Sequence, residues 1–302
     1  MARLTCSLFQ AGDIACIIGD DSDHGSGLIQ YSGLWTLVSR HQIHTAIAPP
    51  FAGLLAGVHR GTRPLFTRVD DGTARLEKVD ERSGMESEAT FTVSPPHYVD
   101  YHLSFTLKRD WAPGALGDFM ELGWCNYMNG LTDPAIYFVS GGKWVREYST
   151  THGYKAMYYP SGLPVEEREI RPVADYQRRG LKIPFHWPHS ETTFDLPLYY
   201  GRVHGMMYLA MFDRYLDWRF FMSPTGGGGN ALGPGYHNPA WDWSWMVRKP
   251  EVGPKYECNI RLVYRKFVQS QDALDEYREW EHRDSDLLAS VGEVPPGPKP
   301  LG

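Results

Sequence analysis

Long apolar runs, dense basic segments and paired cysteines are all absent from this 302-residue sequence. No window approaches about 18 consecutive apolar residues, which argues against a helical membrane span. Lys and Arg total 30 against 36 Asp and Glu, and the formal net charge is -6. Surfaces that follow nucleic-acid phosphates usually carry clustered basic residues. We therefore expect neither a membrane nor a nucleic acid as a partner.

The four cysteines, Cys6, Cys16, Cys125 and Cys258, are widely spaced and form no C-x-x-C pair. This spacing excludes the common zinc-knuckle and thioredoxin motifs and predicts buried free thiols. The N-terminus reaches Asp13 without the apolar stretch and cleavage site of a signal peptide. On that ground we expect a cytoplasmic protein.

Signature motifs of metal and nucleotide chemistry are also missing. The sequence has no H-E-x-x-H and no G-x-S-x-G, and no Gly-Lys-Ser/Thr closes the glycine run at 226–229. Asp21 and Asp23 loosely resemble a calcium loop that lacks its closing Glu. Pro188 interrupts the short cluster of His186 and His189 that zinc would need. We expect no cofactor and no metal, with a calcium ion near Asp21 and Asp23 as the alternative.

Aromatic residues are in excess, at 14% of the chain with 10 Trp and 18 Tyr, beside 31 Gly and 22 Pro. This mixture favours many strands joined by turns over long helices. Residues 86–93 and 98–107 alternate in polarity around Pro95-Pro96, which predicts an antiparallel pair. Residues 135–139 and 143–148 flank a Ser-Gly-Gly turn and predict a hairpin.

Residues 202–212 are apolar on both faces and predict a strand that returns over 216–222 after a turn at 213–215. In that register His204 and Arg219 lie on opposite faces. A last strand is predicted over 256–267.

The helical spacing of apolar residues after Ser270 predicts one C-terminal helix over 270–283, with Ser270 as its cap. The Pro- and Gly-rich tail at 292–302 is expected to be disordered. The chain shows neither alternating β and α units nor a break in composition. We therefore predict an all-β protein, a large antiparallel β-sandwich with one C-terminal helix, in which residues 1–291 form a single domain.

Four residues are candidates for acid–base catalysis because they lie in predicted strands or where a strand begins. His204 occupies an apolar strand, and Asp242 follows the glycine run beside tryptophans. His102 and Glu86 come next, since they share a polar sheet face in the predicted pair of strands. Each also has a simpler explanation, because a lone buried His is usually a satisfied core group and a polar strand face is usually solvated.

Six further residues are candidates for binding a substrate. Arg202 and Arg219 are charged groups in apolar or aromatic strands and would hold hydroxyl or carboxylate groups. Asp100 would orient the neighbouring imidazole of His102. The remaining candidates are a titratable ring and two indoles at turns or beside polar groups: His237, Trp35 and Trp241. Trp241, Trp243 and Trp245 alternate on one strand face, which also suits sandwich core.

An antiparallel chain of about this length, with many long strands and scattered aromatics, resembles the galactose mutarotase-like supersandwich. That fold hosts aldose epimerases and parts of several sugar hydrolases and polysaccharide lyases, so the resemblance implies a sugar or oligosaccharide substrate. Our leading hypothesis is a carbohydrate-active enzyme, a glycoside hydrolase or polysaccharide lyase, that cleaves a glycosidic bond by His and carboxylate catalysis. The alternatives are an epimerase or mutarotase that isomerises a free sugar, a non-catalytic sugar-binding protein and a structural component; whether it forms a homo-oligomer is open.

Overall fold

The computed structural model describes residues 4–20, 32–55, 64–80, 84–109, 119–129, 131, 133–149, 156–168, 189–223 and 239–281. These residues form antiparallel strands and one α-helix, which confirms the all-β prediction. The elements are β1 (Cys6–Ala11), β2 (Ile14–Gly19), β3 (Gly33–Ser39), β4 (Ile47–Leu55), β5 (Leu65–Arg68), β6 (Thr73–Asp80), β7 (Met85–Ser94), β8 (Tyr98–Leu107), β9 (Phe119–Met128), β10 (Asp133–Ser140), β11 (Lys143–Glu147), β12 (Met157–Tyr158), β13 (Leu198–Val203), β14 (Met206–Phe212), β15 (Trp218–Ser223), β16 (Ala240–Arg248), β17 (Lys255–Lys266) and α1 (Gln271–Glu281), with 3-10 turns at Val165–Glu167 and Tyr215–Asp217. No described helix is long and apolar enough to cross a membrane.

Three sheets are present. The large sheet has nine strands in the order β11-β10-β13-β14-β17-β8-β7-β6-β5, and the facing sheet has five in the order β12-β15-β16-β9-β4. The N-terminal sheet is β1-β2-β3, and its buried side chains join the core between the other two. The two predicted hairpins, β7 with β8 and β10 with β11, are both confirmed.

Aromatic side chains fill the space between the large and facing sheets. Trp241, Trp243 and Trp245 all point inward from β16, as their alternation predicts. Trp243 stacks on Trp124 at 4.9 Å between ring centroids and meets Phe212 of the large sheet edge-on at 5.4 Å. Such pairs add to the free energy gained by burying large rings. The predicted core role of these tryptophans is therefore confirmed.

The predicted strand pair over 202–222 is wrong. His204 and Gly205, at φ 47° and 81°, make a tight turn between β13 and β14. The strand after residue 217 then leaves the large sheet and pairs with β16 in the facing sheet. Residues 206–212 are apolar on both faces because one face packs in the core and the other lies under α1, so polarity gave no sign of the break at 204.

Helix α1 packs on the outer face of the large sheet, with Ala273, Leu274 and Tyr277 buried there. It lies within the predicted range, and residues 282 and 283 fall outside the described part. The Ser270 hydroxyl, expected to cap the helix, instead lies 2.6 Å from the Tyr200 hydroxyl and ties the start of the helix to β13. The free cysteines are confirmed, and burial raises the pKa of the Cys16 thiol to about 12.

Replacing Glu276 with Gln is expected to loosen α1 in a pH-dependent way. Burial alone would raise the pKa of this carboxyl, but the hydrogen bonds from His97, Arg265 and Tyr98 outweigh it and lower the pKa. Arg265 Nη1 is 2.7 Å and the Tyr98 hydroxyl 3.0 Å from the carboxylate. A lowered folded-state pKa contributes stability above the unfolded value, and that stability is lost as the pH falls through the folded value. Glu276→Gln should therefore lower the free energy of unfolding by about 1–3 kcal/mol at pH 7.

Urea unfolding at pH 7 and at about pH 3 checks this expectation, with the exposed Glu279→Gln as the matched control on the same helix. The loss should shrink in acid for Glu276→Gln and be small at both pH values for the control. An equal loss at the two pH values would contradict the charge-based account.

Candidate functional site

Asp100 and His102 project from β8 into a groove of about 420 Å³ on the outer face of the large sheet, which we call the outer groove. The predicted side-by-side placement is correct, but the predicted role of Asp100 is not. Its carboxylate accepts two hydrogen bonds from Arg261, from Nε at 2.7 Å and Nη2 at 2.9 Å. It therefore fixes a guanidinium and does not orient the imidazole.

The His102 imidazole is held by side chains of the neighbouring strand β17. Its Nδ1 lies 2.9 Å from Asn259 Oδ1, and its Nε2 lies 3.6 Å from Glu257. Asn259 Nδ2 in turn donates to Asp213 Oδ2 at 3.0 Å, and burial raises the pKa of that carboxyl. The imidazole and the guanidinium of the outer groove thus both have protein partners, as in a solvated surface network.

Glu86 shares the sheet face of His102, as predicted, but does not reach it. It stands opposite Thr106, four residues along β8 from His102, which is about 13 Å at the usual rise of a strand. Lys108 Nζ lies 3.0 Å from its carboxylate. Glu86 therefore belongs to a surface ion pair.

Arg202 and His204 do not join any of the other candidates. The His204 ring lies 5.9 Å from that of His44 at the turn, and not on the face of Met206, which the broken strand explains. The Arg202 guanidinium covers the Phe267 ring at 4.7 Å on the outer face of the large sheet. Asp242 lies in the facing sheet, so His204 and Asp242 are on different sheets.

Two indoles that were predicted to stack on a sugar are buried in the core instead. Trp35 is 6% exposed and Trp241 is fully buried, with its Nε1 donating to Pro134 O at 2.9 Å. His237, Asp21, Asp23 and His186 lie outside the described residues. Across the described ranges, no group of three or more His, Cys, Asp or Glu side chains is placed to hold a metal ion.

Charged side chains are instead concentrated on the side of the facing sheet that points away from the core. Because the three tryptophans of β16 point inward, Asp242 and Ser244 point outward, and alternation puts Arg219 of β15 and Glu121 of β9 on the same side. We call these four residues the polar face. Their exposures are 3%, 0%, 1% and 5%, so the face is enclosed, and a small apolar cluster that includes Phe221 and Tyr159 is buried with it.

The registers of β15, β16 and β9 place a small-residue row beside the guanidinium. Arg219 stands opposite Ser244, which stands opposite Gly123. Asp242 belongs to the next row on one side, and Glu121, opposite Met246, to the next row on the other. Strand spacings put the Cα atoms of these two acids about 14 Å apart, one on each side of the small row. The sheet thus presents two carboxyls and one guanidinium around a floor of Ser and Gly.

Arg219 is the most unusual residue of the polar face. Its Nη1 donates to the backbone oxygens of Leu216 at 3.1 Å and Trp218 at 2.6 Å, and the guanidinium covers the Tyr159 ring at 4.7 Å. Its Nε and Nη2 are buried and have no hydrogen-bond partner among the described residues. Burial lowers the pKa of Arg219 to about 10, so the group is still charged at neutral pH. Each unmade hydrogen bond of a buried donor costs roughly 1–3 kcal/mol.

Asp217 borders Arg219 at the start of β15 and is partly exposed. Burial raises the pKa of its carboxyl, against the opposing effect of Arg214. Asp217 and Glu121 both act electrostatically on Arg219, and the Asp217 carboxyl also accepts a hydrogen bond from the Trp245 side chain. Sequence reasoning missed Asp217 and Glu121. The available signal was the alternating Trp-Asp-Trp-Ser-Trp strand, whose outward face is polar.

The Asp242 carboxylate is held by the neighbouring strand β9. Its Oδ1 accepts a hydrogen bond from the Asn126 backbone amide at 2.7 Å, and Asn126 Nδ2 donates to the Tyr208 hydroxyl at 2.8 Å. This chain of contacts runs from the polar face through the facing sheet to the large sheet. Asp242 is therefore held in position. It lies on the same sheet face as Arg219, whereas His204 and His102 lie on the other sheet.

No family model matches this sequence, and no curated protein matches it closely. The search of solved structures finds proteins that are similar over most of this chain at low sequence identity. A GalM/aldose epimerase homologue from C. elegans is 10% identical, covers 87% of this chain and 100% of its own, and gives a TM-score of 0.47. The protein HI1317 is 8% identical with coverages of 86% and 92% and a TM-score of 0.45. A family 36 alpha-galactosidase from Geobacillus stearothermophilus is 10% identical, covers 86% of this chain and 40% of its own, and gives 0.40.

Proposed function

We propose that the protein is a carbohydrate-active enzyme that cleaves a glycosidic bond at the polar face. Arg219 carries the proposal, because its charged guanidinium is enclosed on the polar face with two donors that no described residue uses. A protein retains such a costly group where a ligand completes its hydrogen bonds. A sugar offers many oxygens for Arg, Ser and carboxylate side chains, the residue types of this face.

The two carboxyls beside Arg219 supply the proton chemistry. Glycosidic cleavage needs one group that protonates the leaving oxygen and another that removes a proton from the attacking water. Asp217 suits the first role, because its raised pKa keeps the proton on the carboxyl at a higher pH than an ordinary Asp would. Glu121, which stands opposite Met246 on β9, suits the second role, and Asp242 lies on the other side of the small row.

Product analysis with purified protein and a panel of neutral and acidic oligosaccharides tests the proposal. Products of shorter chain length are expected. Asp217→Asn and Glu121→Gln should each lower kcat/KM by about 10²–10⁴-fold, the usual contribution of a positioned acid or base. His102→Ala in the outer groove and Glu86→Gln at its surface ion pair serve as folded controls and should keep full turnover.

Three outcomes would overturn the proposal. Isomers of unchanged chain length would indicate an epimerase or mutarotase, and sugar binding without turnover would indicate a binding protein. If His102→Ala silenced the enzyme while Asp217→Asn and Glu121→Gln did not, the catalytic centre would be the outer groove.

A further inference from the structure

We infer that the sugar bound at the polar face is a uronic acid, whose carboxylate receives two hydrogen bonds from Arg219 Nε and Nη2. This inference rests on the proposed function and deepens it by naming the substrate class. Three features support it: the two unused donors of Arg219, the charges near the guanidinium and the small side chains beside it.

The two unused donors of Arg219 lie on the same edge of the guanidinium plane. Nη1 points the other way and is occupied by the backbone oxygens of Leu216 and Trp218, which fix the plane. Nε and Nη2 present two parallel N–H groups, the arrangement that a carboxylate accepts with both oxygens. A sugar hydroxyl offers one oxygen and would leave the second buried donor unpaired.

The charges around Arg219 favour a ligand with a single negative charge. Glu121 and Asp217 both act on the guanidinium, and the nearby Arg248 is ion-paired with Glu167. A doubly charged phosphate would meet these two carboxyls with one cation to oppose them. A carboxylate brings a single charge, and its two oxygens match the two N–H groups of Arg219 that have no partner among the described residues.

The positions beside Arg219 in the facing sheet carry small side chains. Ser244 and Gly123 continue the row of Arg219 across the sheet and have the smallest side chains of the neighbouring positions. The Tyr159 ring lies under the guanidinium and, with His189 edge-on at 5.7 Å, limits its movement. The carboxylate is thus placed at Arg219. The sugar ring lies over Ser244 and Gly123, between Asp242 and Glu121.

Isothermal titration of the wild-type protein with matched ligands provides the test. The probes are glucuronate, galacturonate and mannuronate, their uronamides, the corresponding neutral hexoses, and acetate as a carboxylate without a sugar. We expect at least one uronate to bind about 100-fold or more tightly than its uronamide and its hexose, and acetate to bind weakly.

Arg219→Gln should reduce that preference to within about tenfold of parity. Arg219→Lys should restore only part of it, because an ammonium is a point charge and does not present two parallel donors. Arg248→Gln, which removes the neighbouring arginine, is the matched control and should keep the preference. If Arg219→Gln does not fold, the uronate and uronamide comparison on the wild-type protein decides the question.

Equal binding of uronate, uronamide and hexose overturns the inference, as does acetate binding as tightly as the uronates or a preference that survives in Arg219→Gln. These failures are separable from failure of the proposed function. Cleavage of neutral oligosaccharides only would leave the proposed function standing without the uronate. Tight uronate binding with no cleavage of any oligosaccharide would support the uronate inference and overturn the proposed function.

Discussion

Arg219→Met is expected to make the protein more stable and nearly inactive. At pH 7 the free energy of unfolding should rise by roughly 1–2 kcal/mol, because the buried charge and two unmade hydrogen bonds are removed and a side chain of similar length fills the space. The two hydrogen bonds to Leu216 and Trp218 are lost, which limits the gain. Turnover should fall by about 10²-fold or more, since the group that holds the substrate is gone.

Urea unfolding and kcat/KM measured on the same preparations check both parts of this expectation. Arg261→Met is the matched control, because that guanidinium is fully paired with Asp100 in the outer groove. Its removal should cost about 1 kcal/mol or less and leave turnover unchanged. A loss of several kcal/mol in Arg219→Met would instead make Arg219 a structural residue, and the proposed site would lose its main support.

Opposite signs for stability and activity identify a functional residue more clearly than a loss of activity alone. A residue that only supports the fold loses both when it is replaced. A residue kept for its ligand weakens the free protein, and the ligand compensates for that cost on binding. We assign Arg219 to the second group because its Nε and Nη2 have no hydrogen-bond partner among the described residues.

The parts of the fold that sequence reasoning predicted well have faces of unequal polarity. Residues 98–107 alternate strictly, and the register with 86–93 follows from the two prolines between them. Where both faces are buried, the pattern carries no such information. Residues 202–222 are apolar on both sides, so the turn at 204–205 and the change of sheet before 218 left no trace in polarity.

The candidate site was predicted only in part, and for a related reason. Arg219 and Asp242 stood out because charged residues are rare among aromatic strands. Glu121 and Asp217 resembled ordinary surface acids, because enclosure of the outward side of a sheet depends on segments distant in the sequence. The outer groove shows the opposite case, since His102 and Asp100 are adjacent as predicted but are paired with Asn259 and Arg261.

Gly201→Ala is expected to be the most destabilising small substitution in the large sheet. A Cβ at this position would lie 2.0 Å from Cη2 and 2.2 Å from Cζ3 of Trp241, where real contacts exceed 3 Å. The indole has little freedom to move, because its Nε1 donates to Pro134 O and the Tyr199 hydroxyl donates to Trp241 O at 2.7 Å. We expect the free energy of unfolding to fall by about 3 kcal/mol or more, the upper range for an overpacked core.

A second substitution shows whether the indole is the cause. Phe lacks the outer indole atoms that a Cβ at Gly201 would meet, so Gly201→Ala combined with Trp241→Phe should recover more stability than the sum of the single changes allows. Gly141→Ala is the control, because it faces open space at φ 58° and should cost only about 1 kcal/mol. A loss below 1 kcal/mol in Gly201→Ala, or no rescue by Trp241→Phe, would contradict this packing. Because Trp241 precedes Asp242, a displaced indole should also shift the Asp242 contact to Asn126, so the single variant should lose turnover even where it stays folded.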